Sequence, residues 1–195
     1  MIGTMNPVRM RNVLLMIWCA FAATAFCQPA GVRLDTLHIK HIDSQGNTHT
    51  GMLVCNKSIS KDLQEIFAEL YKAKYPIERM RPISEYNDDD EQSMRANNTS
   101  CYCYRAVAGS TKLSKHAQGL AIDINPLYNP CVRRKKDGTL FIQPSTGKPY
   151  ANRRKPFAYK ITKDDLCYRL FIQHGFRWGG NWKSVKDYQH FEKPL

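Results

Sequence analysis

Several things this sequence lacks narrow the field first. It has no comfortable membrane span: the apolar run from Val13 to Phe26 falls short of the roughly 20 residues that a spanning helix needs. It has no internal repeat and no low-complexity tract, which excludes solenoids and compositionally disordered segments. It has no Arg/Lys-rich recognition helix, no nucleic-acid-binding zinc-finger spacing and no paired aromatic motif, so nucleic acid is not an expected partner. The acidic run Asn87-Asp88-Asp89-Asp90-Glu91 lacks the glycine and the closing glutamate of a calcium loop and reads as a solvated loop. Acids are also scarce, 17 against 29 basic residues, and the formal charge of +12 favours anionic partners such as envelope polymers.

What is present describes an ordinary folded chain. A hydrophobic fraction of 43% and a charged fraction of 24% exclude wholesale disorder, and 195 residues suit one domain. Arg9 and Arg11, the apolar run and the exit Gln28-Pro29-Ala30-Gly31 together form the pattern of a secretory signal peptide, residues 1–27. Cleavage after Ala25 or after Cys27 both fit, an uncleaved anchor is the alternative, and loss of the two arginines lowers the charge from +12 to +10. The mature chain, residues 28–195, is then exported, to the periplasm or the extracellular space, with no stable membrane span. Of the seven cysteines, Cys19 falls in the leader; cleavage after Cys27 leaves an odd set, Cys55, Cys101, Cys103, Cys131 and Cys167. Cys101-Tyr102-Cys103 is too tight for a structural zinc pair, so buried thiols or one or two disulfides are expected, with pairing open.

Along the chain, alternation in Thr36 to Asp43 and Thr48 to Cys55 around Ser44-Gln45-Gly46-Asn47 predicts a β-hairpin. Ile59, Leu63, Ile66, Phe67, Leu70 and Tyr71 recur at helical spacing, with Ser58 or Ser60 as cap. His38, His41 and His49 belong to the hairpin and read as surface or core histidines. Glu78 to Tyr86 predicts an edge strand interrupted by Pro82, followed by a helical turn near Met94 and a strand over Tyr102 to Val107. Leu120 to Ile124 reads as a short strand. The stretch from Asn125 to Pro156, with Arg133-Arg134-Lys135-Lys136, reads as an irregular, solvated excursion holding a small hairpin near Leu140 to Gln143. Thr162 is expected to cap a helix that ends at His174-Gly175, ahead of final strands at Phe176 to Trp178 and Tyr188 to Glu192. The fold class is α+β, a small antiparallel sheet flanked by helices. A hairpin and helix over 36–75 precede a core of about 78–195.

Chemistry concentrates at Ser114-Lys115-His116-Ala117-Gln118-Gly119-Leu120-Ala121-Ile122-Asp123 and at Asp187-Tyr188-Gln189-His190. Gly119 can turn the backbone tightly enough for His116 and Asp123 to face one point, with His190 arriving from another strand. Two imidazoles and a carboxylate suit zinc and leave a position for water, and Asp187 supplies a carboxylate to take a proton. The residue pattern thus points to metal-assisted hydrolysis.

The pattern Ser114-x-His116-x-x-Gly119-x-Ala121-x-Asp123 with Asp187-x-x-His190 resembles the M15 metallopeptidases. These are zinc D-alanyl-D-alanine carboxypeptidases, dipeptidases and L-alanyl-D-glutamate endopeptidases that share a fold with the Hedgehog signalling domain. Asn97-Asn98-Thr99-Ser100, Tyr104-Arg105 and Gly175-Phe176-x-Trp178-Gly179-Gly180-x-Trp182 extend the resemblance over about residues 90 to 192. It implies a Hedgehog/DD-peptidase-like fold, Zn2+ on His116, Asp123 and His190, and Asp187 as general base, a position where many relatives have glutamate. It further implies Arg105 as the arginine at the scissile carbonyl, with Arg95 as rival, and Ser114 as a substrate contact. Gln189 and Trp182 are candidates to shape the pocket. The implied substrate is a peptidoglycan stem peptide, and the implied alternative is a non-catalytic Hedgehog-like zinc module binding an envelope partner.

Overall fold

The computed structural model describes residues 31–107 and 110–194; the leader segment read in the sequence lies outside them. Strands β1 (Leu34–Ile42) and β2 (Thr48–Asn56) form the expected hairpin in antiparallel register, Leu34 opposite Asn56 and Ile42 opposite Thr48. Its turn is closed by Asp43, whose Oδ1 accepts from Gln45 N and Asn47 N, both at 2.9 Å. Alternation buries Leu37, Ile39, Leu53 and Cys55 on one face, which helix α1 (Ser60–Lys72) covers with Leu63, Ile66, Phe67 and Leu70. The cap differs from the sequence expectation. The Asn56 side chain, accepting from Ser58 N at 3.0 Å, starts a short 3₁₀ turn at Lys57–Ile59 that runs into α1.

Two stretches expected to be strands are not. Residues 78–82 make only an isolated bridge, Arg79 with Asn98, before a 3₁₀ turn at Ile83–Tyr86. The reason is local: Pro82 has no N–H, and the Asn98 amide takes both the N–H of Arg81 (2.8 Å) and its carbonyl (2.9 Å) in place of a neighbouring strand. Residues 102–107 are extended but split their partners, with Tyr102 N on Val54 O, Cys103 N on His116 O and a single bridge from Ala106 to Leu113. Helix α2 (Asp90–Arg95) lies between these stretches, capped by Asp89.

Two further antiparallel sheets follow. Strands β3 (Ala121–Asp123), β8 (His190–Glu192) and β6 (Arg177–Trp178) form one, in the order β3-β8-β6. Strands β4 (Cys131–Arg134), β5 (Leu140–Gln143) and β7 (Val185–Asp187) form the other, with β4 central. The excursion is therefore part of the architecture, because it supplies the partner of the strand that carries Asp187. Helix α3 (Leu166–Gln173) is capped by Asp165, which accepts from Cys167 N at 2.9 Å, so Asp165 and not Thr162 starts it. Among the described residues the fold is α+β with three small sheets where the sequence suggested one. No described helix is long and apolar enough to cross a membrane. The five described cysteines are thiols, all buried except the half-buried Cys131.

One core runs through the molecule. Phe171 of α3 meets Phe67 of α1 edge-on at 6.5 Å and stacks on Phe191 of β8 at 4.4 Å. Phe191 points inward between His190 and Glu192, and strand alternation turns those two side chains to the other face. This buried aromatic cluster thereby fixes the strand that presents His190.

Candidate metal centre and peptidase cleft

His116 opens a short 3₁₀ turn, His116–Gln118, that ends at Gly119 with φ of +65°. A Cβ at Gly119 would sit 2.6 Å from Asn56 N, so left-handed backbone and close approach to β2 both require glycine. The turn leads into β3, where Asp123 stands directly opposite His190 of β8. Three side chains separated by up to 74 residues thus converge. His116 Nε2 lies 3.1 Å from His190 Nδ1 and 3.4 Å from Asp123 Oδ2, while His190 Nδ1 lies 3.3 Å from Asp123 Oδ1. All three residues are buried.

The outer partners define which ring nitrogens face inward. His116 Nδ1 lies 2.7 Å from the Cys101 carbonyl, which can only accept, so that nitrogen carries the proton. His190 Nε2 lies 3.2 Å from Glu192 Oε2, which selects the proton there. Two imidazole lone pairs and a carboxylate therefore point at one another, an arrangement that only a cation reconciles. A proton can serve one pair at a time, whereas a metal ion serves all three. Tetrahedral zinc with ligands at ~2.0–2.1 Å holds them about 3.3–3.4 Å apart, close to the separations seen here. The donor set fits a metal ion, and it is the one group of three or more metal-ligating side chains so arranged among the described residues.

The electrostatics agree. Burial opposes charge on Asp123, but the close approach of His116 and then His190 prevails and holds its carboxyl far below the ordinary range. At His190 burial works against positive charge, and the Asp123 and Glu192 carboxylates override it, so the pocket favours a cation at the point where the donors meet. Asp187 shifts the other way. Burial lifts its carboxyl above the ordinary range, with His190 opposing and Asp123 adding to the lift. Its Oδ1 is buried with no hydrogen-bond partner among the described residues. Gly179 makes room for it, since a Cβ there would lie 2.7 Å from the Asp187 carbonyl oxygen.

These groups open onto a cleft of about 550 Å³, lined among others by Arg105, Ser114, His116, Trp182, Asp187 and His190. Arg105 reaches it as an ion pair with Asp90, Nε to Oδ2 2.7 Å, not aligned as a hydrogen bond. Arg95, its rival in the sequence, turns to Glu91 and Ser145 and does not line the cleft. Ser114 lines the cleft, but its Oγ also accepts from His116 N at 3.2 Å and so shapes the turn that presents the histidine. Trp182 walls the cleft with its ring 5.1 Å from that of His190, whereas Gln189 is buried and does not line it. A separate, apolar cavity of about 290 Å³ beside β1 and β2 contains none of these groups.

Sequence reasoning misses Asp90, which reads as part of a solvated run and is in fact paired with Arg105. It also misses Glu192, although its place two residues after His190 on a strand puts the two on one face. Cys131 escapes it as well: this residue stands directly opposite Asp187 in the β4–β7 pair and lines the same cleft. Only β-pairing across 56 residues reveals that contact.

Three convergent donors, a neighbouring carboxyl held above its ordinary pKa and a cation in one cleft make up a candidate site for metal-assisted hydrolysis. The comparison with protein families meets that reading. Residues 108–193 match the family model described as D-alanyl-D-alanine carboxypeptidase, a match that supports an M15-type peptidase. The match includes Ser114, His116, Asp123, Asp187 and His190; Arg105 and the hairpin precede it. No curated protein matches the chain, and no solved structure does.

Proposed function

We propose that this chain is an exported, zinc-dependent peptidase that cleaves a peptide bond in peptidoglycan stem peptides, built on a Hedgehog/DD-peptidase-like fold. The observation that carries the reading is the inward convergence of two imidazole lone pairs and one carboxylate beside Asp187. His116, Asp123 and His190 would hold the zinc, and Cys101 O and Glu192 fix the histidine tautomers. When bound, the ion supplies Lewis acidity, lowering the pKa of water toward ~7 and polarising the scissile carbonyl.

The chain's own residues do the rest. Asp187 takes a proton from the attacking water as its oxygen bonds to the carbonyl carbon. The same carboxyl then hands the proton to the amide nitrogen as the C–N bond breaks. Its burial suits both steps, because a carboxyl lifted above its ordinary pKa is a stronger base and still a usable acid. Arg105, anchored by Asp90, directs positive charge at the oxyanion that develops on the carbonyl oxygen. Ser114 holds the His116 turn and borders the substrate. The net positive charge suits an anionic envelope polymer, and an export signal at residues 1–27 would deliver the enzyme there.

Digestion of purified muropeptides with and without a chelator, with products identified by mass, tests this. Chelator-sensitive release of D-alanine identifies the carboxypeptidase, and cleavage between L-alanine and D-glutamate identifies the endopeptidase. Intact muropeptides at full zinc loading would sink the hydrolase reading in favour of a binding module.

A further inference from the structure

The second half of the cleft is the face of a sheet. Strand alternation and the β5-β4-β7 register put side chains there in two rows. Gln143 and Asp187 flank Cys131 in the first, and Phe141 and Val185 flank Arg133 in the second. All six line the cleft. The rows are two residues apart, about 6.6–6.8 Å along the strand. Arg133 is exposed at the mouth, its guanidinium carbon 5.1 Å from the centre of the Phe141 ring, and no described carboxylate forms an ion pair with it. A cation stacked on an aromatic, with its in-plane N–H groups left for a planar anion, is a ready carboxylate site.

Its place relative to Asp187 determines which carboxylate. Asp187 delivers the proton to the departing nitrogen, so the leaving half of the substrate lies over this sheet. A carboxylate on the carbon bonded to that nitrogen falls within reach of an arginine one row farther out. We infer that Arg133, cushioned by Phe141, recognises a free carboxylate α to the scissile nitrogen, and so selects peptides whose leaving residue carries one. Terminal D-alanine and the γ-linked D-glutamate of a stem peptide both do, so one residue serves either bond. The inference rests on the hydrolytic reading of the cleft for its orientation, but its binding test does not need turnover.

The experiment pairs N-acetyl-D-alanyl-D-alanine with its C-terminal amide, and L-alanyl-γ-D-glutamyl peptides with their α-amides. Binding is followed by NMR titration and cleavage by kcat/KM. The intact chain is expected to prefer the free carboxylate about tenfold or more in at least one pair. Arg133→Ala should reduce that ratio to near unity, and Phe141→Leu should reduce it partly. Arg134→Ala, one residue along β4 on the opposite face, should leave the ratio unchanged and report on folding. A ratio that survives Arg133→Ala, or a wild-type chain that binds acid and amide alike, overturns the assignment. Selective binding without cleavage would retain Arg133 as the carboxylate reader and overturn the hydrolase reading alone.

Discussion

The chain contains two constellations of two histidines and an aspartate, and they behave differently. In the hairpin, His41 and His49 stack at 5.4 Å beside Asp43; in the cleft, His116 and His190 lie at 5.0 Å beside Asp123. The inventories are the same. In the hairpin, Asp43 gives its oxygens to Gln45 N, Asn47 N, the Asn47 side chain and His49 Nε2, and His41 Nδ1 turns to the Ile77 carbonyl. Those groups close a turn and tie down a strand. In the cleft, a backbone carbonyl and Glu192 occupy the outer nitrogens, so every remaining donor points inward. A metal site is defined by where the lone pairs go, not by how many histidines stand near an acid.

The most severe challenge to this contrast is to remove one member of each set. His116→Ala, Asp123→Ala or His190→Ala should take bound metal from stoichiometric to near none, read by elemental analysis after dialysis, and hydrolysis to background. His49→Ala should leave metal content where it was. Equal loss from both sets would erase the distinction. Next in size are changes that spare the metal. Asp187→Ala should keep it and lower kcat by about 10²–10⁴-fold. Arg105→Ala should cost about 10²–10³-fold, also at full metal content. Retained turnover in either variant would remove that residue from its role.

The difference between the two histidine sets is partly legible in sequence. The spacing around Gly119 and the pairing of Asp187 with His190 mark residues that the fold brings together, because short-range constraints there are severe. The hairpin and α1 are legible from period alone. The outer partners are not: Cys101 offers a backbone carbonyl, which no residue type announces. Asp90 looks solvated because nothing local shows that Arg105 folds back over it. The role of the 131–143 hairpin is hidden for the same reason, since the pairing of β4 with β7 joins segments far apart in the chain. The strand expected at 78–86 fails where the Asn98 side chain outcompetes sheet pairing, and the caps move to residues with a better-placed oxygen.

A smaller effect probes the scaffold that holds the cleft set in place. Gly119→Ala places a Cβ at positive φ and against the backbone of β2, and should destabilise the fold by at least about 1–2 kcal/mol. Chemical denaturation would read this. Gly46→Ala, at φ of +85° in the hairpin turn but with open space around it, incurs the conformational cost without the clash and should lose less. Equal losses would show that backbone conformation alone, and not contact with β2, sets the requirement at Gly119.

The smallest expected effect is a pH dependence confined to the hairpin. Burial lowers the pKa of His41; the Ile77 carbonyl opposes this, while His49 and Arg81 add to it and Asp43 counters them. The folded imidazole thus binds its proton less readily than the unfolded one, whose pKa is near 6.5. The sign follows by linkage: above 6.5 both states are neutral, and as pH falls toward the folded pKa only the unfolded chain gains a proton. Stability from this group is therefore present at neutral pH and lost on acidification. Urea unfolding between about pH 7 and 5 should show a shallower decline in His41→Gln than in the parent chain, with His49→Gln in between. The ordering follows because removing His49 deletes only one of the influences that keep His41 neutral. If His41→Gln follows the parent slope, the buried hairpin histidine contributes nothing to acid sensitivity, and the two sets differ in geometry alone.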